Sequence, residues 1–361
     1  MGLRRLELTT FRAFEQATVE PDPSGTTVFI GPNGTGKTSI LEAVGYLGLG
    51  RSLRGSPREA MVRNGAATSI LRAEITFADR EILIEAEMVR SGRSRIQINR
   101  QPARNRRDLA DAVPVTTFAP DDLHVVQGGP GGRRDLVDDA LSLLSAPAGA
   151  LIEEVDKTLR QRNALLRSAA GRITPDIAST LDVWDDRLAS VGDQLIEARR
   201  ELLVSLAEPI DAAYRALSGD EVSGIAIVTY APSAPHGLAA GLLDARRDDV
   251  RRGLTTVGPH RDDVALWLEG RDARTQASQG EQRTFALALR LAVHLAARDI
   301  RGEAPILLLD DVFSELDPER ARRLVNELPV GQALVSTASP LPDGIDPAMI
   351  LDVTTLFGSH G

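Results

Sequence analysis

The sequence predicts an α/β protein whose nucleotide-binding core is split by a mostly helical insertion. Three observations predict it. "TTVFI" (26–30) runs into the glycine-rich "GPNGTGKT" (31–38) and then into a helical pattern. "PILLLDD" (305–311) is an apolar run ended by two carboxylates. Between them the hydrophobic period changes from two residues to three or four.

Taken in order, residues 3–10 and 26–30 read as strands and 37–48 as a helix. "SILRAEITF" (69–77), "EILIEAEMVR" (81–90) and "SRIQIN" (94–99), joined by "ADR" and "SGR", suggest an antiparallel meander. Residues 113–134 hold "APDD" and "QGGPGGRRD" and read as turn-rich. "LIEEVDKTLRQRNALLRSAA" is helical, "GRITP" breaks it, and a second helical stretch runs from 176 to 207 or beyond. At 1.5 Å per residue such an arm is roughly 30–50 Å long. A loop at 231–237, a strand at 263–268, a helix at 282–299, a buried strand at 305–310, a helix at 318–327 and a buried strand at 333–337 complete the reading. The expected organisation is a first lobe at 1–125 with phosphate loop and meander, an inserted mostly helical lobe or arm at 126–250, and a segment at 251–361 completing the core. The arm is expected to pack on itself.

"GPNGTGKT" matches G-x-x-x-x-G-K-[ST] between a strand and a helix, the context a phosphate loop requires. Gly31, Pro32, Asn33, Gly34, Thr35 and Gly36 would wrap phosphates with backbone N–H groups. The Lys37 ammonium would reach the β- and γ-phosphates, and the Thr38 hydroxyl would bind Mg²⁺. Of 42 basic residues only Lys37 and Lys157 are lysines, so a lysine here stands against the chain's own preference. At the end of the apolar run, Asp310 is placed to hold Mg²⁺ and Asp311 to polarise an attacking water. A second anion-facing turn lies in "ASQGEQRTFALALR" (277–290), where Ser278 and Glu281 have capping-box spacing. Such a helix start presents N–H groups and positive dipole. Asp317, before Pro318, has the position of a helix cap.

Net charge is −9, so nucleic-acid binding would need a local basic patch. Arg90, Arg93, Arg95, Arg100, Arg104, Arg106 and Arg107 form one candidate, readable also as a solvated hairpin and loop. Arg133 and Arg134 form another, whereas Arg251 and Arg252 read as surface charges. With 4% aromatic residues, base stacking is not the main binding mode. Trp184 and Trp267 read as packing residues. The absence of cysteine excludes a disulfide framework and thiolate metal sites. His260 has no second ligand at metal spacing and reads as a structural hydrogen-bonding residue. No apolar run reaches the ~18 residues of a membrane span, and "MGLRRLELTTFRAFE" lacks a signal-peptide core. A cytoplasmic protein without a membrane partner is the simplest reading.

The order "GPNGTGKT", "ASQGEQ", "ILLLDDVFSELD" resembles the ATP-binding-cassette ATPases, whose signature turn reads Ser-Gly-Gly-Gln. With "FRAF" (11–14), "FAPDDLHVVQGGPGGRR" (118–134) and "GPHRDD" (258–263), nearly the whole chain is similar to the RecF family of bacterial recombination mediators. The resemblance implies an α/β, ABC/SMC-like P-loop ATPase head: a mixed β core, an antiparallel β subdomain and an inserted mostly helical lobe. It implies an ATP-driven homodimer that sandwiches two nucleotides. Ser278 and Gly280 would face the partner's γ-phosphate with Gln282 nearby, Asp317 would lie at the seam, and Arg12 would support the nucleotide in cis. It further implies ATP and Mg²⁺ as cofactors, slow hydrolysis that resets the dimer, DNA gaps or junctions as target, and RecO and RecR as partners in loading RecA during repair. Four features depart from the pattern. Asp311 stands where cassette ATPases usually carry Glu. "SI" follows the phosphate loop where relatives often have "NL". No switch histidine follows the strand "ALVST", and the sequence leaves Ser336 and Thr337 as alternatives there. No Q-loop glutamine is assigned, because Gln127 lies too far past the expected strand. A transporter ATPase subunit is the alternative, disfavoured by the long insertion, the missing histidine and the "SQGEQ" form. A metabolic P-loop kinase would need no signature turn.

Overall fold

The structure is a computed structural model describing residues 2–77, 80–119, 122–219, 225–329 and 331–357. Residues 78–79 of the link "ADR" and 120–121 of "APDD" lie outside them. The strands are β1 (Gly2–Phe11), β2 (Phe14–Val19), β3 (Thr26–Ile30), β4 (Thr68–Phe77), β5 (Arg80–Val89), β6 (Arg95–Ile98), β7 (Gln101–Pro102), β8 (Val115–Phe118), β9 (Ala226–Ala231), β10 (Asp263–Leu268), β11 (Arg271–Asp272), β12 (Ile306–Asp310), β13 (Ala333–Ser336) and β14 (Met349–Asp352). The helices are α1 (Lys37–Leu49), α2 (Arg58–Met61), α3 (Arg106–Ala112), α4 (Leu123–Gln127), α5 (Pro130–Leu144), α6 (Ala146–Ser168), α7 (Pro175–Ser218), α8 (Leu238–Arg252), α9 (Ala273–Gln276), α10 (Gln279–Arg301) and α11 (Pro318–Glu327). The chain divides into two compact units. One comprises Met1–Leu123, Ala212–Ser223 and Arg283–Gly361; the other comprises His124–Asp211 and Gly224–Gln282.

The first unit holds two sheets. A parallel sheet runs β14-β3-β13-β12-β8, and an antiparallel sheet runs β2-β1-β4-β5-β6-β7, containing the expected meander. Every residue of β8, β12 and β13 is buried, which is why "ILLLD" reads as a continuous apolar run instead of alternating. Helix α1 touches strands of both sheets, and Ile40, Leu41, Ala43, Val44, Tyr46 and Leu47 are all buried. A helix covered all round needs apolar residues all round. At roughly 1.5–3 kcal/mol per large buried side chain, this packing anchors the phosphate loop that precedes it. Gly50 ends the helix in the left-handed region (φ 69°), its N–H bonding the Tyr46 carbonyl.

The second unit is mostly helical, with a three-stranded sheet β11-β10-β9. Arg187 reaches Glu154 and Arg162 reaches Asp185, pairs that require α6 and α7 to run antiparallel. The arm packs on itself. Arg162, fully buried, also binds Asp249 and Thr255. Arg199 binds Asp138 through both its Nε and Nη2 and donates to the Pro259 carbonyl. Removing one partner of such a buried pair typically costs about 3–5 kcal/mol.

Two sequence expectations change. Residues 113–134 are not mainly turns: they form β8, α4 and the start of α5. "GGPGG" misled because Gly129 caps α5 and Pro130 sits at its first turn, where proline needs no N–H. The segment Gly224–Gln282 groups with the helical unit, whereas the sequence reading cut the chain at 250. Strand β9, not recognised in the sequence, pairs with β10 from Ala231↔Asp263 to Ala226↔Leu268 and ties the segment there. Helix α8 and strands β2 and β14 were likewise not anticipated.

Candidate nucleotide site and signature turn

The phosphate loop leaves the C-terminal end of β3, beside the ends of β12 and β13 in the parallel sheet. Gly34 (φ 83°) and Gly36 (φ 96°) adopt backbone conformations closed to most residues. A Cβ on Gly36 would also lie 2.7 Å from the Phe14 ring, so the loop is seated on the "FRAF" turn. Thr35 Oγ1 donates to the Pro32 carbonyl, bracing the loop from within. Asn33 and Pro32 are exposed. Lys37, 7% exposed, donates through its ammonium to the carbonyls of Gly31 and Pro32 at 2.6 and 3.1 Å.

Asp310, at the tip of β12, is the convergence point. Its Oδ1 accepts from Thr38 Oγ1 at 2.7 Å and from Ser336 Oγ at 2.6 Å. Its Oδ2 lies 3.3 Å from Nη2 of Arg54. A carboxylate with a hydroxyl beside it is a hard-oxygen donor set that fits Mg²⁺, with phosphate and water completing the shell. Among the described residues there is no cluster of three or more His, Cys, Asp or Glu that could hold a metal ion. Asp311 follows in the left-handed region (φ 51°), its N–H bonded to the Ser336 carbonyl at 3.0 Å. One of its carboxylate oxygens is buried without a hydrogen-bond partner in this structure. Ser336 therefore touches both aspartates, whereas Thr337 Oγ1 turns to the Ser339 carbonyl.

Arg12 is fully engaged: Nε and Nη2 hold both oxygens of buried Glu42 at 2.7 Å, and Nη1 donates to the Ala60 carbonyl. Ser52 Oγ donates to the same Glu42 at 2.5 Å. Arg12 and the 51–54 turn thus share one anchor. Arg54 was missed by sequence reading; its only signal is position, just past the end of the phosphate-loop helix.

The capping box at the second turn forms as expected. The Ser278 N–H donates to Glu281 Oε2 at 2.6 Å, and the Glu281 N–H approaches Ser278 Oγ at 3.3 Å. The Glu281 carboxyl is held below its ordinary pKa, chiefly by that Ser278 N–H. Ser278 is exposed at the start of α10 and Gly280 is partly so. Gln282 is not on that surface. It is 5% exposed and donates to the carbonyls of Ala273 and Arg274, both at 2.9 Å. Asp317 is exposed and caps α11 by accepting from the Arg320 N–H at 2.9 Å.

The arginine clusters are largely committed. Arg90 donates to the carbonyls of Val62, Arg63 and Ala66. Arg95 pairs with Glu87, and Arg107 with Asp111. Arg133, 4% exposed, clamps Asp263 through two nitrogens, and Arg134 donates to the Asp262 carbonyl. Arg93, Arg100 and Arg104 are exposed. Arg251 and Arg252 pair with Asp248 on the surface. His260 bonds the Thr255 carbonyl at 3.0 Å, and burial lowers its pKa from the ordinary histidine value. Trp267 departs from expectation: it is 37% exposed and pairs across strands with Ile227 on an open sheet face. Among the described residues no helix is long and apolar enough to cross a membrane.

Comparison with known proteins gives one answer. Residues 2–337 match the family model "RecF/RecN/SMC N terminal domain". A protein of Acidothermus cellulolyticus named "DNA replication and repair protein RecF" is 40% identical over 95% of both chains. One of the same name from Leifsonia xyli is 39% identical over 95% of this chain and 94% of its own. A solved structure described as "the recombination mediator protein RecF-ATP in RecFOR pathway" superposes with TM-score 0.84 at 28% identity, covering 94% of this chain and 92% of that one.

Proposed function

The chain belongs to the RecF/RecN/SMC N-terminal domain family, and on that premise we propose that it is a RecF-type DNA-repair ATPase that closes into a homodimer when ATP is bound. The observation that carries the reading is the Ser278 turn: an exposed, capped start of a 23-residue helix in a chain that already owns a phosphate loop. In the dimer, the loop at 31–38 of one copy and Ser278 and Gly280 of the other share each nucleotide, with Asp317 at the seam. Lys37 leaves its two carbonyls for the β- and γ-phosphates. Thr38 and Asp310 would hold Mg²⁺, which supplies charge neutralisation on the phosphates when bound. Asp311 polarises the attacking water, and Ser336 fixes its backbone. Arg12 acts in cis by holding Glu42 and so the wall of the nucleotide site. Hydrolysis is slow and resets the dimer. Gapped or junction DNA is the target, RecO and RecR the partners, and the cytoplasm the place of action. The unit Met1–Leu123, Ala212–Ser223 and Arg283–Gly361 carries the phosphate loop and Asp310, and the unit His124–Asp211 and Gly224–Gln282 carries the Ser278 turn.

Light scattering with and without ATP tests this. Wild type is expected to dimerise only with ATP, and Lys37→Met and Ser278→Arg each to remain monomeric. Gel shifts on gapped DNA should follow the same dependence on ATP. Dimers of Ser278→Arg formed with ATP would sink the shared-site model.

A further inference from the structure

Gln282 sits in the signature turn, yet its amide points beneath the turn, not out of it. Its NH₂ group donates to the carbonyls of Ala273 and Arg274, which fixes the orientation of the amide. Among the described residues the oxygen then accepts from the side-chain NH₂ of Gln127 at 2.7 Å. Gln127 closes the loop from the other side, its carbonyl accepting from Arg274 Nε at 3.1 Å. Two glutamines, one buried and one half-buried, therefore tie residues 273, 274 and 282 together, whereas Ser278 is exposed. We propose that Gln282 and Gln127 are positioning residues that set the height and angle of the signature turn, and that Gln282 makes no contact with nucleotide. This rests on the shared-site reading given above, but the clasp itself is a property of one chain.

The physical ground is satisfaction of buried groups. The Gln282 amide is the group that pairs the Ala273 and Arg274 carbonyls from its side. A buried amide oxygen left without its donor costs more than the bond was worth. Substituting Gln282 itself would strand both carbonyls and endanger folding. Gln127, half-buried at the end of α4, is the safer handle. Gln127→Glu keeps the shape but replaces the donor with a second acceptor facing Gln282 Oε1. Gln127→Lys restores a donor.

The test is hydrogen exchange of the backbone amides of 273–283 in ATP-free protein, alongside the protein concentration at which ATP drives dimerisation. Gln127→Glu is expected to speed exchange across this segment by about five- to tenfold and to raise the dimerisation midpoint by a similar factor. Gln127→Lys should return both toward wild type, and exchange in α1 should be unchanged throughout. Unaltered exchange in Gln127→Glu, or a Lys variant as impaired as the Glu one, overturns the proposal. Loosened exchange with an unmoved midpoint also overturns it, since the turn would then not need positioning. If wild type itself fails to dimerise with ATP, the shared-site reading fails, while the exchange data still decide whether the clasp exists.

Discussion

Asp310 shows how much one carboxylate organises at the residue scale. It takes hydroxyl bonds from Thr38 on the phosphate-loop helix and from Ser336 on the neighbouring strand, and its second oxygen faces Arg54. The start of the phosphate-loop helix, the turn that follows it and a strand much later in the chain thus meet at one buried carboxylate, 5% exposed. Asn at this position retains an oxygen for the two hydroxyls but loses the charge a divalent cation needs. Asp310→Asn is therefore expected to stay folded and to release phosphate from ATP, in excess Mg²⁺, about a hundredfold more slowly. Thermal melting beside a steady-state phosphate assay checks it; unchanged turnover would remove Asp310 from the metal site. Lys37 and Thr38 stand out in the sequence because they belong to a short motif with fixed spacing, and Asp310 because it ends an apolar run; the structure brings Thr38 and Asp310 together. Arg54 and the inward turn of Gln282 were not legible. Each depends on what a side chain meets across a gap of many residues, and no local pattern encodes that.

At the scale of elements, legibility followed hydrophobic pattern. β3, β10 and α11 fall where period and turn chemistry placed them. β8 ("VTTF") and β9 ("AIVTYA") escaped because short strands rich in threonine and alanine lack a clear apolar run. α5 escaped because its glycines sit in the first turn, whereas Leu136, Val137, Ala140 and Leu141 behind them are all buried. The junction of β3, loop and α1 is the element on which nucleotide binding depends. Its tightest point is Gly36, where a side chain is opposed twice: by φ 96° and by the Phe14 ring, itself fully buried. Gly36→Ala should cost about 2–4 kcal/mol, combining backbone strain with overpacking. Because the strain is relieved only by moving the loop, ATP affinity should fall more than tenfold. Chemical denaturation and a nucleotide titration on the same protein check both. A variant that binds ATP normally would show that Phe14 yields and the loop does not.

For the whole molecule, the decisive question is whether each nucleotide belongs to one chain or to two. A single copy carries net charge −9, and many of its arginines are already held by carboxylates or carbonyls, so DNA affinity gained only on pairing is physically reasonable. A two-fold sandwich has a consequence that a single-chain site does not. Lys37→Met spoils a chain's own loop but leaves its signature turn intact. Ser278→Arg spoils the turn but leaves the loop intact. A pair made of one of each therefore has one composite site with both halves sound and one with both halves lost. Each homodimer has no sound site. Because neither variant pairs with itself, the pairs that form in an equimolar mixture are mixed, and each has one sound site of two. Two inactive preparations should then, on mixing, recover up to about one half of wild-type ATP hydrolysis. Recovery should grow with total protein concentration and disappear when either variant is replaced by the double mutant. No recovery at concentrations where wild type is fully dimeric would place the site within one chain and return Ser278 to the role of an ordinary helix cap.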